Sequence, residues 1–330
     1  MIACVTGAAG FIGRQLCSAL ISAGYEVRAL GRRAVSSFPE SINYFRGDIA
    51  LGVGDFAAFF SDADVVFHCA GELSKPEQMF SLHIDGTVFL LGCVQCEVEA
   101  SGKPLHWVQL SSVGAYGISA EEASAPRVVE SATTESPDNS YEITKTASDH
   151  LVVAFAKQHP YFSYSIVRPS IVVGATMPNQ SFFQLANMVR RGLFFYVGRH
   201  DSVANYVHID DVVAALLLCG FSEGAKGGTF IVANDCSLRE VIDAMADLYG
   251  VRRPRLRVPE GFMRAVAAVG TTIRSFPLTQ SRVDALVRRT SYISNFNSSG
   301  LELSYKNPIP EKIASILEGR FDGAHLRGKG

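Results

Sequence analysis

Two groups of residues in this 330-residue chain have the types and spacing to do chemistry. The first is Thr6-Gly7-Ala8-Ala9-Gly10-Phe11-Ile12-Gly13, with glycine at every third position. Between a strand and a helix, Gly7 permits a tight turn and Gly10 lets backbone approach a pyrophosphate with no Cβ in the way. Gly13 lets the helix pack close to the strand, and the helix N-terminus offers unpaired N–H groups to the phosphates. The second group is Tyr141 and Lys145, four apart and therefore on one helix face, with Ser112 after an earlier apolar run. A phenol with a pKa of about 10 is a poor base at neutral pH. A neighbouring ammonium stabilises the phenolate and draws that pKa toward the working range.

The elements that must position these groups are legible from periodicity. Apolar runs at 2–5, 26–30, 42–45, 65–69, 106–110 and 165–167 read as buried strands, and 11–23, 85–99, 141–157 and 238–249 as helices. Strands alternating with helices imply βαβ units and a parallel sheet covered on both faces. The expected fold is α/β: a Rossmann-like doubly wound parallel sheet with a smaller α-rich C-terminal substrate lobe. The boundaries expected are 1–172 plus roughly 203–233 for the NAD(P)-binding domain, and 173–202 with 234–330 for the lobe. Residues 121–139, rich in Ala, Ser, Thr, Glu and Pro, read as a long surface loop of the functional kind.

The second strand ends in Gly31-Arg32-Arg33, with no acid to bond ribose hydroxyls. An arginine there accommodates a 2′-phosphate, so NADP is the expected cofactor and NAD the alternative. Asp48, in Arg46-Gly47-Asp48-Ile49, either bonds the adenine amino group or caps a helix.

Composition excludes other classes. A net charge of −2, 48% hydrophobic and 19% charged residues fit neither disorder nor a dedicated nucleic-acid binder. The N-terminus lacks a basic n-region, and the apolar run 212–218 is far short of the ~20 residues that span a bilayer. No membrane and no nucleic-acid partner are therefore expected. The seven cysteines are odd in number and scattered through apolar segments, which reads as buried, reduced thiols in a cytoplasmic protein. Cys93 and Cys96 form a lone CxxC without a second pair, so no metal is expected.

Further segments fall in order along the chain: Val66-Phe67-His68-Cys69-Ala70, Ser111 to Gly117, Arg168-Pro169-Ser170 and Tyr206-Val207-His208-Ile209-Asp210-Asp211-Val212. With the glycine turn and the Tyr141/Lys145 pair, the chain resembles the extended short-chain dehydrogenase/reductase family, in particular its nucleotide-sugar epimerase/dehydratase branch. The resemblance has specific motifs to about residue 235 and continues more loosely to the end. It implies that Ser112 bonds the reacting oxygen, that Tyr141 is the general acid/base, and that Lys145 bonds the nicotinamide ribose and tunes Tyr141. It implies a cofactor contact surface of Gly7, Ala9, Gly10, Phe11, Ile12, Gly13, Arg32, Arg33, Asp48, Ile49, Ala70, Gly71, Ser111, Tyr141, Lys145 and Arg168. Substrate contacts implied are Ser112, Asn179, Arg199 and Arg282. His208 and Asp211 are expected to be structural.

Departures from the family pattern narrow the reaction. Dehydratases of the family carry Asp-Glu where this chain has Val113-Gly114, and members that epimerise beside a ketone carry a Cys in this stretch. What remains is 4-keto reduction or 4-epimerisation of a nucleotide sugar by hydride transfer; the alternative is a hydroxysteroid- or dihydroflavonol-type dehydrogenase/reductase. A non-catalytic NADP-binding protein would not need Ser112, Tyr141 and Lys145 together. His83 stands where the family usually has Asn, and Ala204 where a diphosphate-binding Arg usually sits. Arg199, Arg282 or an Arg of the 252–257 cluster would then supply the clamp. The family's dimer packs the helix after Asp85 against the Tyr141 helix, so a homodimer is expected through 88–91 and 147–155.

Overall fold

The structure is a computed structural model that describes residues 1–33, 38–117, 125–270 and 280–318. Seven parallel strands make the main sheet: β1 (Ile2–Thr6), β2 (Glu26–Gly31), β3 (Ile42–Asp48), β4 (Val65–His68), β5 (Leu105–Leu110), β6 (Phe162–Pro169) and β7 (Gly228–Val232). Their spatial order is β7-β6-β5-β4-β1-β2-β3, with a short antiparallel strand, Val53–Gly54, at the β3 edge. β1 pairs with both β2 and β4, so the order reverses there and the carboxyl ends of β1 and β4 border a crevice. All six residues of β5 are buried, as a central strand covered on both faces requires.

Helices cover both faces: α1 (Phe11–Ser22), α2 (Phe56–Phe60), α3 (Pro76–Ser101), α4 (Ser140–Gln158), and in the second half α5 (Ser181–Arg190), α6 (Ile209–Phe221), α7 (Leu238–Leu248), α8 (Glu260–Gly270), α9 (Gln280–Val287) and α10 (Ile309–Leu317). One core joins α1 and α6 to the sheet through Leu16, Leu20, Val212 and Leu216. Another joins α2, α3 and α4 to the opposite face through Phe59, Leu90, Val94, Trp107 and Val152. A separate core gathers Phe182, Phe183, Ile242, Met245, Ile313 and Ile316 from α5, α7 and α10.

Three readings of the sequence are corrected. α3 begins at Pro76 rather than at 85: proline at the first position starts it, and a π-helical turn over Ser81–Asp85 carries it through His83. By length and composition α3 is apolar enough to cross a membrane (hydropathy 1.4), but it packs as a core helix and buries Met79, His83, Thr87, Leu90 and Val94. The described part of the 121–139 loop is not free coil. Its strand Arg127–Val129 pairs in parallel with Thr290–Tyr292, tying the loop to the C-terminal region. Residues 121–124 of that loop lie outside the described residues. Finally, all seven cysteines are free, but only Cys4, Cys17 and Cys219 are buried; Cys69, Cys93 and Cys236 are half-buried and Cys96 is exposed.

His208 and Asp211 hold structure. His208 caps α6 by accepting from the Asp210 N–H at 3.3 Å. Buried Asp211 accepts from Lys306 N at 3.2 Å and Asn307 Nδ2 at 2.7 Å, which fastens the segment leading into α10.

Candidate active site

The glycine turn lies at the crevice between β1 and β4. Gly7 has φ +62°, and a Cβ on it would stand 2.6 Å from Ala70 N. A Cβ on Gly13 would stand 2.4 Å from Gly7 O, so α1 can approach β1 only because there is none. Gly10 N donates to Gly7 O at 2.9 Å, and the first helical bond runs from Arg14 N to Gly10 O at 3.1 Å. No side chain caps α1, and its first N–H groups, at Phe11, Ile12 and Gly13, lack intrahelical acceptors. Bare backbone cradled at a helix N-terminus fits a dinucleotide pyrophosphate.

Around this turn the expected residues fall into two sets. Arg32 and Arg33 are exposed at the end of β2, with no carboxylate on the strand's last residues. Ala70 and Gly71 follow β4 beside Gly7. Asp48 turns the chain, its Oδ1 accepting from Ala50 N at 3.0 Å and Leu51 N at 3.3 Å. The Ile49 side chain is buried against Gly86 of α3. Arg168, expected at the cofactor, has protein partners. The residue is 3% exposed, and its guanidinium pairs with Asp149 and Glu135 and lies over the Tyr116 ring. It thereby joins β6 to α4 through Asp149 and to the preceding loop through Glu135.

Ser112 and Tyr141 meet. Ser112 ends the segment after β5, accepts from Gly114 N at 3.1 Å, and sits near enough to the Tyr141 hydroxyl to lower its pKa. Asn139 caps α4 by accepting from Glu142 N at 3.1 Å, which fixes where Tyr141 enters the helix. Burial pushes the Tyr141 phenol up to about 12, with the nearby Ser112 opposing it. This reverses the expected lowering: desolvation of a phenolate outweighs its neighbours. Tyr141 is therefore protonated at neutral pH. Lys145, one turn on, is 5% exposed, and burial lowers its pKa while Asp149 holds it up.

His83, in the place of the family's usual Asn, has its tautomer fixed by its neighbours. Glu72 N–H donates to Nε2 at 2.9 Å, so the ring proton is on Nδ1 and is directed to Thr144 Oγ1 at 2.8 Å. Thr144 in turn donates to Ser140 O at 2.7 Å. Burial drops the His83 pKa to about 3, so the ring is neutral, and it meets the Tyr141 ring edge-on at 5.9 Å. Beneath it, Thr6, His68, Thr87, Ser148 and Gln109 form a continuous buried hydrogen-bond network.

The expected substrate residues are more scattered. Asn179 and Arg199 are exposed, and Asn179 Oδ1 accepts from Ser181 N at the start of α5. Exposed Arg282 donates to Gln184 at 3.2 Å, joining α9 to α5. In the 252–257 cluster, Arg253 pairs with Asp247 at 2.6 Å and Arg257 with Asp201, while Arg252 and Arg255 are exposed. Ala204 is buried in a short pairing of Val203–Ala204 with Cys236–Ser237. Among the described residues no three His, Cys, Asp or Glu side chains gather as a metal site. Sequence reasoning missed Asp149, although its signal was present: it continues the four-residue spacing of Tyr141 and Lys145.

A doubly wound sheet with a phosphate cradle at its switch point and a Ser–Tyr–Lys set beside it defines an NAD(P)-dependent enzyme of the extended short-chain dehydrogenase/reductase type. The pattern of the NAD dependent epimerase/dehydratase family matches residues 3–233, and the chain belongs to that family. It is 28% identical over 293 residues to "Sterol demethylase protein B" of Methylococcus capsulatus, covering 84% of each chain. It is 26% identical over 324 residues to UDP-glucose 4-epimerase of Streptomyces lividans, covering 86% and 92%. The fold is similar to that of UDP-glucuronic acid 4-epimerase from Bacillus cereus in complex with UDP-glucuronic acid and NAD. That match has a TM-score of 0.71 at 19% identity and covers 96% of this chain and 98% of the other.

Proposed function

We propose that the protein reduces or epimerises a keto/hydroxyl carbon of a nucleotide sugar by hydride transfer, with Tyr141 as the acid/base. The carrying observation is Tyr141 near Ser112, one helical turn from buried Lys145 on the same helix. Bound NADP or NAD supplies or accepts the hydride. Ser112 and Tyr141 bond the carbonyl oxygen, and Tyr141 donates its proton as charge develops there. The Lys145 ammonium stabilises the phenolate left behind. Because burial keeps Tyr141 protonated, the resting site holds the acid that ketone reduction needs. With Arg32 and Arg33 at the end of β2 and no carboxylate there, we read NADP as the preferred cofactor and reduction as the favoured direction.

Similarity to UDP-glucose 4-epimerase across 92% of that protein supports a nucleotide-sugar substrate. The substrate lobe is assigned to 173–202 and 234–330, and Asn179, Arg199 and Arg282 are assigned to substrate. A second reading, a hydroxysteroid- or dihydroflavonol-type reductase, is favoured by buried Ala204 in place of the diphosphate-binding arginine. Similarity to a sterol demethylase protein supports it as well. The seven free thiols fit a reducing cytoplasm.

A thermal-shift screen separates the two readings. NADP and NAD are each combined with UDP-, GDP- and dTDP-sugars and with apolar hydroxysteroids and flavonoid ketones. Ligand at 100 Kd stabilises by about 2.7 kcal/mol, a shift of a few degrees. Shifts confined to nucleotide sugars support the first reading, and shifts confined to apolar ketones replace it with the second.

A further inference from the structure

Tyr141, Lys145 and Asp149 recur at four-residue intervals along α4 and so form one stripe on that helix. Asp149 is completely buried. Its Oδ2 accepts from Ser111 Oγ at 2.6 Å, Arg168 Nη2 at 3.0 Å and Arg168 Nε at 3.3 Å. Its Oδ1 accepts no hydrogen bond from the described residues. Arg168 reaches on to Glu135, so its charge is shared between two carboxylates. The remaining cation near Asp149 is Lys145, one turn closer to Tyr141 and itself buried.

We propose that Asp149 is the positioning residue of the site: it keeps the buried Lys145 ammonium charged and, through Ser111, holds the β5 end that carries Ser112 against α4. It acts through Lys145 and Ser112 and does not touch substrate. The proposal rests on reading Tyr141 as the acid/base and assigns that site its missing support. A buried ammonium with no counter-charge would shed its proton. The other titratable groups facing Lys145 do not provide that charge. His68 and His83, on β4 and α3, are neutral imidazoles because burial holds both well below the usual histidine range. Burial pushes the Cys69 thiol after β4 up to about 12, so it stays protonated. Tyr141, on the same helix, is protonated too. Facing Asp149 from β6 is Arg168, backed by Glu135 and by the Tyr116 ring. Burial raises the pKa of Asp149 itself, but Arg168, Ser111 and Lys145 oppose the rise, and the four-residue spacing makes Asp149 the acidic neighbour of Lys145 on α4. The Ser111 bond couples the two catalytic groups geometrically, because Ser111 and Ser112 are adjacent and Asp149 shares a helix with Tyr141.

The test needs no substrate, so it does not stand or fall with the substrate reading. In intact protein labelled with 13C-lysine, the Cε resonance of Lys145, assigned by its loss in K145R, is followed against pH. In Asp149→Asn its titration midpoint should fall by at least about one pH unit, a tenfold loss of proton affinity. Asp149→Glu should restore most of it, and Ser111→Ala, which keeps the carboxylate, should leave it in place. An Asp149→Asn protein that is folded by its amide spectrum yet keeps the wild-type midpoint overturns the proposal. Should that variant not fold, the wild type decides. Lys145 protonated to about pH 9 supports the role, and Lys145 neutral at pH 7.5 overturns it. With a turned-over ketone in hand, Asp149→Asn should lower kcat at least tenfold while KM stays within twofold.

Discussion

At the scale of single residues, the proposed chemistry depends on one proton. Tyr141 carries it, and burial keeps it on the phenol at neutral pH. Tyr141→Phe removes that proton without changing the ring that meets His83. General acid catalysis of this kind contributes roughly 10²–10⁴-fold, so kcat should fall by about that factor while NADP still stabilises the fold in a thermal melt. Near-normal turnover in this variant would remove Tyr141 from the mechanism. The sequence showed Tyr141, Lys145 and Ser112 because their types and spacing are local. It did not show the rise of the Tyr141 pKa, because burial comes from segments far away in the chain. Nor did it show that Arg168 is committed to Asp149 and Glu135: strand, helix and loop meet there only in the folded protein.

At the scale of elements, β1, the turn and α1 act as one device. Gly7→Ala would place a Cβ against the Ala70 backbone in a left-handed conformation. The backbone alone costs about 1–2 kcal/mol, and relief of the contact would move the turn away from β4. We expect at least a tenfold weaker NADP affinity by fluorescence titration, with a lower melting temperature. Unchanged affinity would mean that the phosphates bind elsewhere. This device was readable because it is contiguous: eight residues contain every glycine it needs. The start of α3 was not readable. The π turn at His83 breaks the 3.6-residue period, and what holds it is remote: Glu72 N–H and Thr144 fix the imidazole from two other segments.

At the scale of the whole molecule, buried histidines set the acid limit. The folded pKa of His83 is lowered to about 3 and that of His106 to about 4, and His68 lies well below its usual value. An unfolded chain binds these protons near pH 6.5, so below that pH the unfolded state holds more of them and stability rises with pH. The stabilisation is complete above about pH 6.5 and is lost as pH falls toward the folded values. His83 and His106 each account for about 2 kcal/mol at pH 5. Urea melts should show a lower midpoint at pH 5 than at pH 7, and equal midpoints would contradict the buried neutral state. We also expect association through α3 and α4. Leu90 and Leu91 are buried within the chain, leaving Val88 at 52% exposure and Ile143 at 47%. Val88→Glu with Ile143→Glu should convert a dimer into a monomer by light scattering, and a monomeric wild type would refute the interface.

The sequence by itself determined the alternation of strand and helix, the glycine turn and the proposed proton donor. Each rests on periodicity or on residues within one turn or one helix face. The tertiary structure decided what those residues experience. It set which charges survive burial, where Arg168 is committed, which nitrogen of His83 bears the proton, and how the 127–129 strand is tied to 290–292. Desolvation and long-range hydrogen bonds belong to no local segment, so they appear only when the chain has folded and distant elements share one interior.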